Sequence, residues 1–541
     1  MTNTDLGRDA ASKRATGLPL PVKVLSSARA AALCRAAFFA AVATIYLLWP
    51  NPRPDFTPFN VHDGEAYLSL SYSLSQGHGY TRNIAGATFI PHTTWPPGMA
   101  VILMPAMLFM DPPIDWGLAK LPVMLLGLGG IVLAWHLMRR LTGEPLAADF
   151  GATLMALNPY YWHFSRITLA EVPVVFWLLL ALLVIDRLWA NRQPRTSVVA
   201  LSGIGLGLGM LIKGTLIGIA AAPLAYLIGR RRSRLPFFAH AGRLVVFGLC
   251  FAIPMAVWTA RNHHIDTTHL GFDGINQVRM VLAENPTDPD SSLRNLPALT
   301  ADAYDNIRWG MAPHTLRVIL PFYWSAGDDH WLTAAGPVVA LFVIISALIL
   351  GALVRMPSVL LALVPMAAMS VVYAFGAALR FWLPVVLVAW TFAAAGLAAR
   401  AIRSNVRRSI VFSAMVAIVL VQAAGLAAYI RHFETMPYHP DAHVRELADL
   451  FSQIRNRNLQ MLGVYTPHHE AFYFETGLPA PMVNPALGVN PEFSHMIVRE
   501  DVLSALPSGS ATIMSVPPWI LVSLPDPQTR EDIVRAVGAI H

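Results

Sequence analysis

Asp63, Glu65 and Tyr67 fall within five residues, in His62-Asp63-Gly64-Glu65-Ala66-Tyr67, the densest polar text of a strongly apolar chain. Two carboxylates there could bind a cation or take a proton from an acceptor hydroxyl; an ordinary solvated loop is the alternative. Further along, Pro91-His92-Thr93-Thr94-Trp95-Pro96-Pro97-Gly98 sets an imidazole and an indole beside two prolines. Prolines fix the backbone where a loop turns back on itself. A rigid turn with an interfacial Trp95 explains most of this segment, which leaves His92 as its one candidate for chemistry.

Lys213 lies in the almost wholly apolar GLGLGMLIKGTLIGI, and no lysine follows it. An ammonium at membrane depth costs roughly 2.5–3.5 kcal/mol on insertion scales, so it marks a site unless it snorkels to the interface. Glu171 precedes Val172-Pro173, Arg261-Asn262 closes an apolar run after Trp258, and Arg380 separates two apolar runs. Guanidinium and ammonium groups around one cavity suit a phosphate or diphosphate head group, although each alone also fits an interfacial anchor.

The elements that must position these residues are membrane helices. Of 541 residues 55% are hydrophobic and 13% charged, against roughly 25% charged in a soluble domain. Runs of spanning length occur near 31–50, 118–138, 147–164, 172–190, 197–212, 214–229, 243–260, 334–354, 358–377, 381–399 and 409–430. With about 20 apolar residues needed per crossing, the count is about eleven. The run 98–110 is too short to cross and carries Pro105, so a surface-lying or re-entrant helix is expected.

Alternate connections carry Arg139-Arg140; Arg187, Arg192 and Arg195; Arg230-Arg231-Arg232 and Arg234; Arg355; and Arg400, Arg403, Arg407 and Arg408. This positive-inside pattern places the N-terminus in the cytoplasm and the insertions 51–117 and 261–333 on the opposite face, with the segment from 431. Val444, Leu447, Leu450, Phe451 and Ile454 recur at helical spacing, and Met461–Tyr465 and Thr512–Val516 read as strands. The expected organisation is a cytoplasmic tail 1–30, an all-α polytopic domain 31–430 and a small extracytoplasmic α/β domain 431–541.

The net charge of +7 comes from arginines in short loops, so nucleic acid is not an implied partner. Cys34 and Cys250 lie in apolar runs and suggest neither disulfide nor metal site. A phosphate loop, His-Glu-x-x-His and Gly-x-Ser-x-Gly are all missing, which leaves an ATP-driven pump, a zincin and an α/β-hydrolase unsupported.

Taken in order, Asp63-x-x-x-Tyr67, Gly77-x-Gly79-Tyr80, Pro96-Pro97-Gly98, Glu171-Val172-Pro173, Lys213-Gly214, Trp258-x-x-Arg261-Asn262 and Arg380-Phe381-x-x-Pro384 resemble the polytopic glycosyltransferases of the GT-C fold. The likeness is to the branch holding protein O-mannosyltransferases and the lipid A aminoarabinose transferase. It implies a sugar donor on a polyprenyl phosphate and transfer, outside the cytoplasm, to an envelope glycan, lipid or protein. In that reading Asp63 is the catalytic base of an inverting reaction, and Lys213, Arg261, Arg380 and His92 meet the donor phosphate. Glu65, Tyr67 and Glu171 form an acceptor or secondary site. Gly64 stands where many relatives have Glu beside the Asp, which displaces the second acid to Glu65 and leaves a divalent cation an open question. A transporter or flippase for an anionic or lipid-linked substrate is the rival reading, and a non-catalytic assembly protein a second.

Overall fold

The computed structural model describes residues 21–48, 63–84, 88–190, 194–228, 237–265, 281–284, 291–320, 335–373, 378–404, 408–435, 444–457, 464–465, 469–476, 478, 493–499, 510–516 and 519–528. The N-terminal tail to residue 20, His62, the Arg230–Arg234 cluster and Met461–Gly463 lie outside the described residues. The chain divides into two compact units, Met1–Trp49 and Pro50–His541. The first holds one helix, α1 (Pro21–Leu48), whose start at Pro21 precedes the apolar run expected from residue 31. Proline suits that position, since its missing N–H is one that a helix start leaves unbonded anyway.

The second unit opens with α2 (Asp63–Ser75), the hairpin β1 (Thr81–Ile84) and β2 (Thr88–Pro91), and α3 (Gly98–Met107). At ~1.5 Å per residue the 10-residue α3 is far too short to cross a bilayer. Next comes α4 (Trp116–Thr142), capped at its start by Asp115, whose side chain accepts from the Gly117 and Leu118 N–H groups, and closed by Gly143 at φ 67°. Both ends follow standard capping chemistry.

The apolar run 147–164 is not one helix. It breaks into α5 (Pro145–Ala156) and α6 (Pro159–Phe164) at Leu157-Asn158. Pro159 cannot donate to the preceding turn, while the Asn158 side chain accepts from the Tyr161 N–H at 3.1 Å and donates to the Val318 carbonyl at 2.8 Å. The long α7 (Glu171–Ala190) follows, then α8 (Thr196–Gly207).

Beyond α8 the backbone tightens into 3-10 turns at Leu208–Leu211, passes through an extended Lys213 (φ −158°, ψ 130°), and resumes as 3-10 turns at Gly214–Ala221 before α9 (Leu224–Ile228). The division between the two short runs thus falls at Lys213-Gly214 as expected, but neither run is a plain α-helix. The segment is closely packed: a Cβ on Gly207 would lie 2.1 Å from the Phe251 carbonyl oxygen of α10 (Phe237–His263).

Short helices at Leu296–Asp305 and Ala312–Ile319 precede the apolar helices Ala335–Leu353, Pro357–Val372, Leu379–Arg403 and Arg408–Thr435. Among the described residues five helices are long and apolar enough to cross a membrane: Trp116–Thr142, Glu171–Trp189, Phe238–His263, Leu379–Arg403 and Ser409–Arg431. Those beginning at Glu171 and Leu379 are the most enclosed, each 72% buried over its apolar window, against 22% for Phe238–His263. The chain is a membrane protein whose two central helices start at candidate site residues.

After residue 435 the pattern changes to mixed helix and strand. Helices Val444–Arg457 and His469–Thr476 lie with a four-stranded sheet ordered β3 (Val464–Tyr465), β4 (Phe493–Arg499), β6 (Trp519–Gln528), β5 (Ala511–Val516), with β3 parallel to β4 and the other pairs antiparallel. Leu447, Leu450, Phe451 and Ile454 bury the helical stripe read from sequence, and Phe472, Ile497, Met514 and Leu521 complete its core. This part touches α2 and the start of α4: the Ile114 N–H donates to the Phe474 carbonyl at 2.8 Å, and Tyr72 meets the Phe474 ring edge-on.

Candidate active site

Asp63 is the first residue of α2 and Arg380 the second residue of Leu379–Arg403. A carboxylate suits a helix start, whereas a cation there opposes the helix dipole. Arg380 is compensated by contact: its Nη1 donates to Asp63 Oδ2 at 2.7 Å. The bond leaves Arg380 engaged with a single oxygen of the Asp63 carboxylate.

A second pair lies beside the first. Glu171 opens α7, and its Oε1 accepts from Lys213 Nζ at 2.8 Å. The extended backbone at Lys213 interrupts the helical path there, and the ammonium sits 4.7 Å from the centre of the Phe381 ring. Phe381 also stacks under the neighbouring Arg380 guanidinium at 4.9 Å, so one aromatic ring joins the two cations.

Tyr67 lies within reach of both pairs. Its phenol is pushed well above its ordinary range, by burial first and then by the Asp63 and Glu171 carboxylates, with Arg380 opposing. Asp63, Glu171, Lys213 and Arg380 together carry no net charge, around a hydroxyl that keeps its proton.

A clamp backs this centre. From the last turn of α10, Arg261 Nη1 donates to the His92 carbonyl at 2.6 Å and Nη2 to the Tyr80 carbonyl at 3.3 Å, while Asn262 Nδ2 donates to the Thr93 carbonyl at 3.1 Å. The guanidinium also lies 4.9 Å from the centre of the Trp258 ring. His92 is fully buried; its Nε2 accepts the Trp95 N–H at 2.9 Å and its ring stacks on that indole. The Tyr80 hydroxyl donates to the Trp95 carbonyl at 2.8 Å, and Trp95 in turn touches Tyr67.

The structure therefore gathers Asp63, Tyr67, Glu171, Lys213 and Arg380 into one cluster, and places Arg261 and His92 in the wall behind it. Glu65 is fully buried on α2. Among the described residues no three His, Cys, Asp or Glu side chains converge as a metal site would require. The two acids nearest the centre already face Arg380 and Lys213, so their charge is compensated by protein cations.

Sequence reasoning missed Trp95, Trp258 and Phe381 as parts of the site, although each adjoins a residue that it named.

Residues 96–258 match the family described as dolichyl-phosphate-mannose-protein mannosyltransferase, a stretch that takes in Glu171, Lys213 and Trp258 but not Asp63 or Arg380. The crystal structure of ArnT from Cupriavidus metallidurans bound to undecaprenyl phosphate superposes with a TM-score of 0.58 at 13% identity, covering 90% of this chain and 97% of that one. This is the GT-C fold. ArnT from the same organism in the apo state matches at a TM-score of 0.57 and 14% identity, over 91% and 98% of the two chains. No curated protein matches the sequence.

Proposed function

We propose that this protein is a membrane glycosyltransferase that moves a sugar from a polyprenyl-phosphate carrier to a hydroxyl acceptor in the cell envelope, a glycan, lipid or protein. The observation that carries the reading is the pairing of two acids with two cations, Asp63 with Arg380 and Glu171 with Lys213, at the starts of the two most enclosed helices. The GT-C fold and the family match over 96–258 support it. The undecaprenyl phosphate bound to ArnT supports a polyprenyl carrier.

In this reading the acceptor hydroxyl meets Asp63 Oδ1. As its oxygen bonds to the anomeric carbon, the bond from that carbon to the phosphate oxygen breaks, the hydroxyl proton passes to Asp63, and polyprenyl phosphate departs with the electron pair. Attack opposite the departing phosphate inverts the anomeric centre. Lys213 and Arg380 stabilise the charge growing on the phosphate, which is the larger contribution in such sites, and Asp63 adds general-base help. Arg261 and His92 belong to the donor side and hold the wall that the phosphate approaches. The arginine-rich connections support a cytoplasmic N-terminus, about eleven crossings, and a site and C-terminal domain on the far side, which is the periplasm in a Gram-negative cell.

The test uses the purified full-length chain with an undecaprenyl-phosphate-linked sugar. Asp63→Asn should lower transfer by about 10²- to 10⁴-fold, the range for general-base help, and leave undecaprenyl phosphate binding intact. Full turnover in that variant would overturn the role given to Asp63, whereas lipid movement across vesicles with no sugar transfer by the unaltered chain would favour the transporter reading instead. Lys213→Ala should weaken undecaprenyl phosphate binding by about tenfold or more, as loss of a charged hydrogen bond does.

A further inference from the structure

The Lys213–Glu171 pair is unequal in a way that bears on how a phosphate leaves. The Glu171 side chain is 3% exposed and that of Lys213 20%. Glu171 Oε2 is buried and has no hydrogen-bond partner among the described residues, so the direct contact to this carboxylate comes from Lys213, with Arg380 acting on it at longer range. Drawing Lys213 away would strand a buried negative charge, which is costlier than leaving the more exposed ammonium to water. Lys213 has an open side toward an incoming anion, and Glu171 has every physical reason to reclaim it.

We propose that Glu171 is a release group: its carboxylate competes with the product polyprenyl phosphate for Lys213 and so keeps the product from being trapped. The inference rests on the donor reading above. Transfer turns a phosphodiester, with one ionisable oxygen, into a phosphomonoester that carries more negative charge near neutral pH. A site with Lys213 and Arg380 both unopposed would hold that product more tightly than the donor. Glu171 pulls in the other direction at one of the two cations, and the start of α7 favours the carboxylate remaining there. Glu171 is thus a positioning residue acting through Lys213, and its effect falls on release more than on bond cleavage.

The experiment measures undecaprenyl phosphate binding to the full chain and the steady-state kinetics of transfer. Glu171→Gln should bind undecaprenyl phosphate about tenfold tighter, and should lower KM and kcat together with deeper product inhibition. In a Lys213→Gln background the same change should alter binding little. Equal or weaker binding by Glu171→Gln, or tightening that persists without Lys213, overturns the release role. If Glu171→Gln does not fold, Glu171→Asp, which draws the carboxylate back from Lys213, should tighten binding in the same direction, and no tightening there overturns the role equally. Failure of the unaltered protein to bind undecaprenyl phosphate would instead overturn the donor reading beneath it.

Discussion

Asp63 is held by Arg380 through one oxygen, and this has two consequences. The pair is only partly exposed, 14% and 16% by side chain, so solvent screens it less than a surface pair. A double-mutant cycle of Asp63→Asn with Arg380→Gln should therefore give a coupling energy of roughly 1–3 kcal/mol, as contacting polar partners do, measured by thermal or denaturant unfolding. Tyr67 offers a second, pH-dependent readout. Its phenol is raised by burial and by Asp63 and Glu171, so the folded protein holds that proton more tightly than the unfolded chain. Its contribution is fully present below the unfolded value of about 10 and is lost as pH rises from there toward the folded value. Stability should fall over that alkaline range, and Tyr67→Phe should flatten the fall.

Among the elements, the segment around Lys213 depends on its neighbours for its shape. Gly98, at the start of α3, packs so closely on it that an added Cβ would lie 2.5 Å from the Leu211 carbonyl carbon and oxygen and 2.6 Å from the Ile212 nitrogen. Backbone cannot swing aside as a side chain can, so Gly98→Ala must push α3 and the Lys213 segment apart. The expected cost is about 1–3 kcal/mol, typical of overpacking, and undecaprenyl phosphate binding should weaken although Gly98 touches no charge; unchanged stability and binding would show the contact to be slack. At the other end of α2, Tyr72 donates to Asp111 at 3.4 Å. Its phenol is pushed up to about 12, by burial first and then by Tyr473 and Asp111.

At the scale of the whole molecule, the C-terminal helices and sheet have their own core, while Glu171 and Arg380, one member of each charged pair, sit at the starts of the two most enclosed apolar helices. Phe451→Ala removes a fully buried ring that meets Phe472 edge-on. It should destabilise that core by about 3–5 kcal/mol, the usual range for a buried Phe→Ala change. Amide exchange should quicken over Val444–Arg457 and β4 to β6, with the α7 amides still protected and undecaprenyl phosphate still bound. Loss of protection throughout α7 would mean that the two cores unfold together.

The sequence by itself determined that the chain is apolar enough to live in a membrane, that Lys213 interrupts an apolar run, and that Val444 to Ile454 form an amphipathic helix. These are local properties: hydrophobic run length and period are written within ten or twenty consecutive residues. The division at Lys213-Gly214 was legible for the same reason, whereas the break at Asn158-Pro159 was not read, although its proline and asparagine are local signals too. Strands β4 and β6 were not read, since their pairing is set by partners distant along the chain. Only the tertiary structure decided which acid meets which cation. Asp63 and Arg380 stand 317 residues apart and Glu171 and Lys213 stand 42 apart. Nothing in their local spacing prefers these partners over the exchanged ones. Packing of the elements that carry them sets which charges come within about 3 Å, and at that range in a water-poor interior the choice of partner sets how strongly each charge is held.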